Sequence, residues 1–407
     1  MEWKMKKIDR VGELEKKYVM KVLDGQFGSK SSFQMVTELE KEFAKKIGRQ
    51  YGIAMVNGTA TLHMALEAAG VGEGDEVICP PLTMSSSSLC VLHANAIPVF
   101  ADVDRETFLI TADTIRQKIT EKTKAIITVS LYGLSPDMDP IMELAHEKGI
   151  IVIEDDAQCF LAKYKGRMVG TLADMASFSF QSSKHMTAGE GGMVLTDDED
   201  LALKLRRYSG LGYGSIGLEK GRITKDDIQD PAYDRHVILG WNYRPSDLIG
   251  AVGLAQLERL DELVEMRQIA AAHFCEAVAG CNWLTPQKVN DGDVHSYWAF
   301  CVVLDTDKVD WYQFRKKYME LGGDGIYAAW KLSYMEPAFQ NMNLLGREKY
   351  LTAYGDYDYR EVSCPNAEYL QPRMLQFKTD YWDEADAVKQ ADILRQTIAF
   401  FDEQDGR

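Results

Sequence analysis

From residue 50 to residue 153 the chain alternates short apolar runs with segments of helical periodicity. Apolar runs of strand length lie at residues 53–56, 76–79, 98–101, 125–129 and 150–153, and helical periods lie between them at 59–69, 85–93, 112–119 and 140–148. Strands that alternate with helices are joined by right-handed crossovers and therefore pair in parallel. The sequence predicts an α/β fold around a mostly parallel sheet.

The pattern changes near residue 260. The sequence beyond that point predicts a long helix to residue 278, a strand at 296–304, a helix at 311–321 and a final helix from residue 383. Helices are also predicted upstream, at 13–23, 33–47 and 248–263. Because 407 residues can hold two cores, we expect a large α/β domain over residues 1–260 and a smaller C-terminal α+β domain over residues 261–407.

Charge and composition exclude several classes of protein. The net charge of −16 argues against a nucleic acid or an anionic membrane as partner. The seven cysteines include no Cys-x-x-Cys pair and the seven histidines show no metal-ligand spacing, so we expect neither a disulfide framework nor a metal site. The N-terminus lacks the apolar region of a signal peptide, and no apolar run approaches the length of a membrane span. We therefore expect a cytoplasmic protein.

A single lysine, Lys184, lies between a strand-like run and a glycine cluster. Phe178 and Phe180 alternate with serines, which predicts a strand with one buried face, and three glycines within 189–192 allow a sharp turn. Desolvation in such a turn would lower the pKa of Lys184 and make its neutral amine available for a Schiff base. Taken alone, this segment fits an ordinary solvated loop lysine better.

An apolar run of parallel-strand type ends in carboxylates at residues 154–156, and the middle one is Asp155. Ligand groups of open α/β sheets lie at the carboxyl ends of strands. A pyridoxal phosphate (PLP) enzyme needs an anionic residue there, because a carboxylate against the pyridine nitrogen keeps the ring protonated and makes it an electron sink. Lys184 follows Asp155 by 29 residues.

These segments carry a resemblance to a known family. The strand end Ile-Glu-Asp-x-Ala-Gln, the run Phe-Ser-Phe-x-x-x-Lys and the closing Gly-Glu-Gly-Gly occur here in that order. The sequence resembles the DegT/DnrJ/EryC1/StrS family of PLP-dependent sugar aminotransferases, over residues 10 to 400. The resemblance implies the mostly parallel sheet of PLP-transferase fold type I, that of aspartate aminotransferase, with a smaller C-terminal domain.

The resemblance also implies roles for particular residues. Lys184 would form the Schiff base and move the substrate proton, and Asp155 would hold the pyridine ring protonated. The residues implied in cofactor binding are Gly58, Thr59, Ala60, Met84, Asp155, Gln158, Ser179, Lys184 and Asn242. Met84 stands where the family carries an aromatic residue that stacks on the ring. Asn242 would reach the phosphate bound by a partner subunit, so a homodimer with shared active sites is implied.

Arg244 and Tyr334 are the residues that the resemblance implies near the substrate, and Tyr334 falls where the family often has a histidine. The implied reaction moves an amino group from glutamate or glutamine to a carbonyl of a keto- or aldehyde-sugar. Products of that kind serve cell-surface polysaccharide, including lipopolysaccharide, or secondary metabolites. The changes at Met84 and Tyr334 leave open a non-nucleotide acceptor, such as the C8 aldehyde of 3-deoxy-octulosonate (Kdo) or an inosose.

Two further alternatives were considered, and the first of them belongs to another class of protein. One is a PLP-binding regulatory protein without turnover, which intact Lys184 and Asp155 disfavour. The other is a related dehydratase that carries histidine in place of the lysine. His185 is adjacent, but the family spacing of lysine, threonine and glycine matches Lys184, Thr187 and Gly189.

A Gly-x-Gly-x-x-Gly sequence at residues 212–217 does not fit a dinucleotide site, because it follows a predicted helix and not a strand. The surrounding loop at residues 210–235 is long and charged. Loops of that length are usually functional or disordered. A lid over the substrate, a contact between subunits and a solvated loop all remain open for it.

Overall fold

A seven-stranded sheet organises the first half of the chain. The structure is a computed structural model, and it describes residues 5–27, 34–218, 223–355 and 357–404. The strands of this sheet are β1 (Tyr51–Met55), β2 (Glu76–Cys79), β3 (Ile97–Phe100), β4 (Thr123–Val129), β5 (Ile151–Asp155), β8 (Met175–Ser179) and β9 (Gly192–Thr196). Two short strands, β6 (Lys163–Tyr164) and β7 (Arg167–Met168), form a separate ribbon.

The strand order is β1-β9-β8-β5-β4-β2-β3. Strands β3, β2, β4, β5 and β8 pair in parallel, whereas β9 runs antiparallel to both β1 and β8. The predicted mostly parallel α/β sheet is confirmed. The prediction that Phe178 and Phe180 mark a strand with one buried face is wrong, because Ser177 and Ser179 are buried as well. Helices cover both faces of such a sheet.

Helices pack on both faces of the sheet. Their bounds are α1 (Glu13–Asp24), α2 (Gln34–Ile47), α3 (Gly58–Ala68), α4 (Ser86–His93), α5 (Ala112–Arg116), α6 (Met138–Lys148), α7 (Glu199–Tyr208), α8 (Lys225–Gln229), α9 (Asp247–Glu258) and α10 (Leu260–Val278). The single helix predicted at 248–263 is in fact divided between α9 and α10. The break lies at Arg259, whose backbone leaves helical geometry (φ −104°, ψ 4°) and whose side chain bonds Glu15 and Glu262.

A second, antiparallel sheet lies in the C-terminal part. Its strands are β10 (Leu284–Pro286), β11 (Ala299–Leu304), β12 (Ile326–Ala328) and β13 (Met374–Lys378), in the order β10-β11-β13-β12. The remaining helices are α11 (Trp311–Glu320), α12 (Pro337–Gln340), α13 (Glu348–Tyr354), α14 (Pro365–Leu370) and α15 (Glu384–Gln404), with single 3₁₀ turns at Leu131–Gly133, Ser333–Met335 and Gln371–Arg373. The α+β character of this part is confirmed.

One C-terminal segment returns to the core of the first sheet. The rings of Tyr334, Phe339 and Tyr359 lie 5.5, 5.9 and 5.9 Å from the ring of Phe100, at the end of β3. These aromatic contacts join residues distant in sequence into one buried cluster. The division of the chain at residue 260 stays a prediction.

Within the described ranges no helix combines the length and the apolar character needed to cross a bilayer. The same residues contain no group of three or more His, Cys, Asp or Glu side chains arranged to hold a metal ion. The seven cysteines are all free. Of the loop at residues 210–235, the part at 219–222 lies outside the described residues.

Candidate active site

The carboxyl end of β5 places Asp155 in the protein interior. One of its oxygens, Oδ2, accepts a hydrogen bond from the Ser87 hydroxyl at 2.8 Å, and Oδ1 accepts one from the Ala157 backbone N–H at 3.3 Å. Burial raises the pKa of the Asp155 carboxyl above its ordinary value, while Ser87, Ala157 and the charge of Lys184 oppose that rise. A cation against this carboxyl would hold it ionised.

The neighbouring carboxylates are directed to other partners. Glu154 accepts hydrogen bonds from the N–H groups of Gly170, Leu172 and Ala173 at 3.1, 2.8 and 3.0 Å. Asp156 accepts one from the Ser130 hydroxyl at 2.6 Å. Successive side chains of a strand point to opposite faces, and the hydrogen bonds of these two carboxylates go to structural loops. Asp155 is therefore the carboxylate of this group that interacts with Lys184.

Lys184 lies in the turn that follows β8, and its residue is half-buried. Its Nζ lies 4.8 Å from the ring centroid of Trp298. Burial lowers the pKa of Lys184 to about 8, with Arg267 contributing in the same direction and Asp155 opposing. A lysine with such a pKa supplies neutral amine near neutral pH, as a Schiff-base lysine must.

His185 is directed away from this group. Its Nε2 lies 2.9 Å from the Ser296 carbonyl oxygen, which can only accept, so Nε2 carries the proton. The ring is fully buried beside Phe160, and burial holds the pKa of His185 well below its ordinary value. The side chain that faces Asp155 is therefore Lys184, and His185 is a neutral core residue.

The start of α3 comes close to the end of β8. A Cβ atom added at Gly58 would lie 2.8 Å from the Ser179 Cβ, so only glycine allows this approach. Asn57 caps the helix by accepting from the Ala60 N–H at 2.8 Å. Ala60 was predicted to take part in cofactor binding, but its N–H is already bonded to Asn57. The N–H groups of Gly58 and Thr59 are left as donors for an anion at the helix start.

Met84 lies in the segment that follows β2, and Gln158 lies in the segment that follows β5, two strands that β4 separates. The Met84 side chain is 44% exposed, and its sulfur accepts contacts from the Ser86 N–H and hydroxyl at 3.0 and 2.9 Å. Gln158 is buried, and its Oε1 accepts from the Tyr132 N–H at 2.8 Å, which braces a backbone at positive φ (62°). Contact of either residue with the cofactor ring stays a prediction.

Asn242 and Arg244 lie in a segment held by backbone bonds between Tyr243 and two neighbours, Val56 and Ser209, both at 2.9 Å. Asn242 is exposed. The Arg244 guanidinium lies 6.0 Å from the ring of Tyr213, and one of its Nη atoms is buried without a hydrogen-bond partner among the described residues. Burial lowers the pKa of Arg244. An unpaired, partly desolvated guanidinium is suited to an anionic ligand.

The structure places Tyr334 in the interior, away from the role predicted for it. Its ring packs against Phe100, and its hydroxyl donates to Glu368 Oε1 at 2.7 Å. Both the ring and the hydroxyl are therefore engaged by the protein. The predicted substrate contact of Tyr334 finds no support in this placement.

Trp298 beside Lys184 and its neighbour Trp330 were not found by sequence reasoning. The ring of Trp298 stacks on Trp330 (5.8 Å, 20°) and on Tyr132 (6.4 Å, 5°). These residues come from three distant segments, so only the tertiary fold brings them together. Ser87 was also missed, although its place in a serine run at the start of a predicted helix, close to a strand end, was a usable signal.

The fold and the site together define a PLP-dependent enzyme, with a buried strand-end carboxylate opposite a lysine of lowered pKa and, beside them, a helix start whose N–H groups are suited to an anion. The profile of the DegT/DnrJ/EryC1/StrS aminotransferase family matches residues 9–376. The chain belongs to this family, and it is a PLP-dependent sugar aminotransferase.

Several characterised relatives are similar over most of their length. The chain is 38% identical over 293 residues to GDP-perosamine synthase of Escherichia coli O157:H7, which covers 72% of this chain and 75% of that protein. It is 40% identical over 294 residues to GDP-perosamine synthase of Caulobacter vibrioides, covering 71% and 74%. It is 35% identical over 301 residues to the spore coat polysaccharide biosynthesis protein SpsC of Bacillus subtilis, covering 73% and 75%.

Solved structures share the whole fold. An aminotransferase from Psychrobacter cryohalolentis superposes with a TM-score of 0.85 at 30% identity, covering 96% of this chain and 98% of the other. A 3-amino-5-hydroxybenzoic acid synthase superposes with a TM-score of 0.80 at 25% identity, covering 98% and 99%. The fold is therefore that of this aminotransferase family.

The residues present fit the cofactor of the family. When bound, PLP supplies the electron sink that lets a substrate amino acid lose its Cα proton. Asp155 would hold the pyridine nitrogen protonated, Ser87 orients that carboxylate, and the neutral Lys184 Nζ would carry the proton. Gly58 and Thr59 would hold the phosphate through their N–H groups.

Proposed function

We propose that this aminotransferase moves an amino group from glutamate or glutamine to the carbonyl of a nucleotide-linked keto-sugar used in polysaccharide biosynthesis. The observation that carries the proposal is the orientation of two adjacent side chains. Lys184 Nζ lies in the site over Trp298, while His185 is bonded to Ser296 in the core. Transamination needs an amine at this position that accepts and returns a proton.

The choice of acceptor is supported by the relatives. Two of them are named for GDP-perosamine, a nucleotide-linked product, and a third for spore coat polysaccharide. A Kdo C8 aldehyde or an inosose was left open by two sequence changes, Met84 and Tyr334. Tyr334 is bonded to Glu368 in the interior, so that argument now depends on Met84 alone.

The test is a product screen by mass spectrometry. Purified protein loaded with PLP is incubated with ¹⁵N-glutamate or with glutamine labelled with ¹⁵N at its α-amino group and, separately, a GDP-linked keto-sugar, an inosose or the Kdo C8 aldehyde. We expect ¹⁵N in the GDP-linked product. Label found only in one of the other acceptors would reassign the substrate, and cofactor binding without turnover of any acceptor would favour the regulatory alternative.

We also propose that the active protein is a two-fold dimer in which Asn242 completes the site of the partner. The support is an apolar run separated from Asn242 by two residues, in which Val237, Ile238 and Leu239 are 54%, 41% and 81% exposed. Contiguous exposed apolar residues mark protein interfaces. A second copy of the chain is the occupant proposed, because Asn242 beside this run is exposed and free to reach across. A cytoplasmic location is part of the same proposal, since nucleotide-linked sugars are made there.

A further inference from the structure

We propose that Arg267 is a positioning residue for Lys184, which fixes the turn that carries the amine and places a positive charge beside it. Arg267 lies on α10, beyond the break at Arg259, and its residue is only 1% exposed. In the described structure Arg267 forms no hydrogen bond with the Lys184 amine or with the Asp155 carboxyl. Its action on the chemistry would pass through the backbone of the Lys184 turn, defined here as residues 182–184.

The guanidinium makes four hydrogen bonds in two directions. One Nη donates to the carbonyls of Ser183 and Lys184 at 2.8 and 3.2 Å. The other donates to the Trp298 carbonyl at 2.9 Å and to the Thr379 hydroxyl at 3.2 Å. Arg267 therefore joins the Lys184 turn to residues that flank strands β11 and β13 of the C-terminal sheet.

Two other side chains also donate hydrogen bonds to the Lys184 turn. The Trp298 indole N–H donates to the Ser183 carbonyl at 2.9 Å, and Arg10 donates to the carbonyls of Ser182 and, at 3.0 Å, Lys184. Every carbonyl of the turn is thus bonded to a rigid side chain. The ring of the same Trp298 faces Lys184 Nζ. These hydrogen bonds therefore hold both the turn that carries the amine and the aromatic ring next to the amine.

The charge of Arg267 is unusual for its surroundings. All four acceptors are neutral oxygens, and among the described residues no carboxylate lies within ion-pair distance of it. Burying a cation without a paired anion is costly. Neutral donors could hold the same carbonyls at a lower cost. We therefore infer that the positive charge of Arg267 itself helps to keep the Lys184 amine neutral.

The other charged groups around the Lys184 amine act in both directions. Asp155 and Glu190 favour the ammonium form, and Arg267 opposes it. Arg10 donates to the carbonyls of the turn, and the charge of Asp380 acts on both Arg10 and Arg267. His185 is buried and neutral. Arg267 is consequently the cation that offsets Asp155 at the amine.

The test separates charge from geometry with two variants. Arg267→Gln removes the charge, and Arg267→Lys keeps the charge but loses the two-pronged donor. In cofactor-free protein, the pKa of Lys184 is read from competitive acetylation of its amine against pH, followed by mass spectrometry. We expect Arg267→Gln to raise that pKa by on the order of 1 and Arg267→Lys to leave it within about 0.3.

The second readout is the half-reaction of loaded enzyme with glutamate. We expect Arg267→Lys to lower the limiting rate constant of this half-reaction by about 10-fold or more, with the apparent Kd for glutamate changed less than about 2-fold, because the amine is displaced while the binding pocket is kept. An unchanged limiting rate constant in Arg267→Lys would remove the positioning role. An unchanged Lys184 titration in Arg267→Gln would remove the role of the charge.

Arg49→Gln is the matched control. Arg49 is also buried, with a side chain 5% exposed, and it also holds backbone carbonyls, those of Gly170 and Ala173. It makes no contact with the Lys184 turn. We expect Arg49→Gln to lower stability without moving the titration of Lys184. An equal shift in this control would show that loosening of the fold, and not Arg267, sets the amine. Should Arg267→Gln fail to fold, Arg267→Lys still tests the positioning role through the limiting rate constant of the half-reaction.

Discussion

Burial gives Asp155 and Lys184 properties that their side chains lack in water. The two groups are shifted in opposite directions: the pKa of the carboxyl is raised and that of the amine is lowered to about 8. Each shift is opposed by the charge of the other residue, so the pair is balanced. A protonated ring nitrogen beside Asp155 would keep that carboxyl ionised. It would also replace Lys184 as the cationic partner of Asp155.

Asp155→Asn tests the role of the carboxylate. The amide cannot hold a pyridine nitrogen protonated, so the half-reaction with glutamate should slow by on the order of 10²-fold or more while the cofactor still binds. Stopped-flow absorbance of the loaded variant measures both quantities. Ser87→Ala is the graded comparison, with a smaller loss expected, because Ser87 only orients the carboxylate. A near-normal rate in Asp155→Asn would move the role to Glu154 or Asp156.

The lowered pKa of Lys184 predicts a stability effect with a defined sign. Its pKa is about 8 in the folded protein, against the ordinary lysine pKa of 10.5. Below pH 8 both states are charged and the folded state bears the cost of burial, at most about 3 kcal/mol. Between pH 8 and 10.5 the unfolded chain binds more protons, so stability rises with pH and the cost disappears above 10.5.

Lys184→Met should therefore stabilise the cofactor-free protein at pH 7, and its advantage should shrink by pH 9.5. Urea unfolding of both proteins at the two pH values measures the difference, since other titrating groups cancel between them. A methionine variant that is less stable than the wild type at pH 7 would show that Lys184 is not desolvated in the folded state.

At the scale of elements, the site depends on turns that follow strands. Gly58 begins α3 directly after β1, and its Cα passes within reach of Ser179 at the end of β8. Gly58→Ala would bring two Cβ atoms to 2.8 Å, which forces the helix start away from the strand. We expect PLP affinity to fall by about 10-fold or more, because the N–H groups that would hold the phosphate move with the helix.

Fluorescence titration with PLP measures the affinity, and two variants control the result. Gly72→Ala should bind PLP normally, because a Cβ there meets no atom within 4 Å and the backbone is unstrained. Ser179→Gly in the Gly58→Ala background removes the clashing atom and should restore part of the affinity. Normal binding by Gly58→Ala alone would contradict the proposed phosphate site.

The elements differ in how far the sequence specifies them. Strand β2 was predicted with its observed bounds and β5 within one or two residues, because apolar composition and flanking turns are local signals. The break at Arg259 was missed, because it depends on contacts with Glu15, which is distant in sequence. The reversed direction of β9 and the place of Trp298 over Lys184 depend in the same way on packing between distant segments.

The residues of the candidate site differ in the same way, because some carry a local sequence signal and others do not. Asp155 and Lys184 were recognisable because one strand end and one turn carry them at a fixed spacing. Tyr334 was placed by position in a motif alone, and the structure uses it to bond Glu368 in the core. Arg267 carried no local signal, since an arginine in an amphipathic helix usually faces solvent.

At the scale of the whole molecule, one chain leaves two features without a partner. The run at Val237, Ile238 and Leu239 is exposed and apolar, and Asn242 is exposed beside it. Closed two-fold symmetry would cover both features at once, because each chain would donate its segment to the other. If Asn242 contacts the phosphate held by the partner, neither chain alone has a complete site.

Mixing two inactive variants tests this arrangement. Lys184→Ala lacks the amine and Asn242→Ala lacks the shared contact, and each homodimer should be inactive or strongly impaired. In a heterodimer, symmetry places both defects in one site and leaves the other intact. Activity should therefore recover to about half the wild-type value per heterodimer, and to about a quarter for an equal mixture after complete exchange of subunits.

Exchange is verified with differently tagged chains, and a mixture of Lys184→Ala with Asp155→Asn is the control. Both of those defects lie in the part of the site that one chain supplies, so each heterodimer site keeps one defect and no recovery is expected. Recovery in the first mixture but not in the second would locate Asn242 in the opposite site. Full activity of the Asn242→Ala homodimer, or no recovery despite complete exchange, would remove Asn242 from the site.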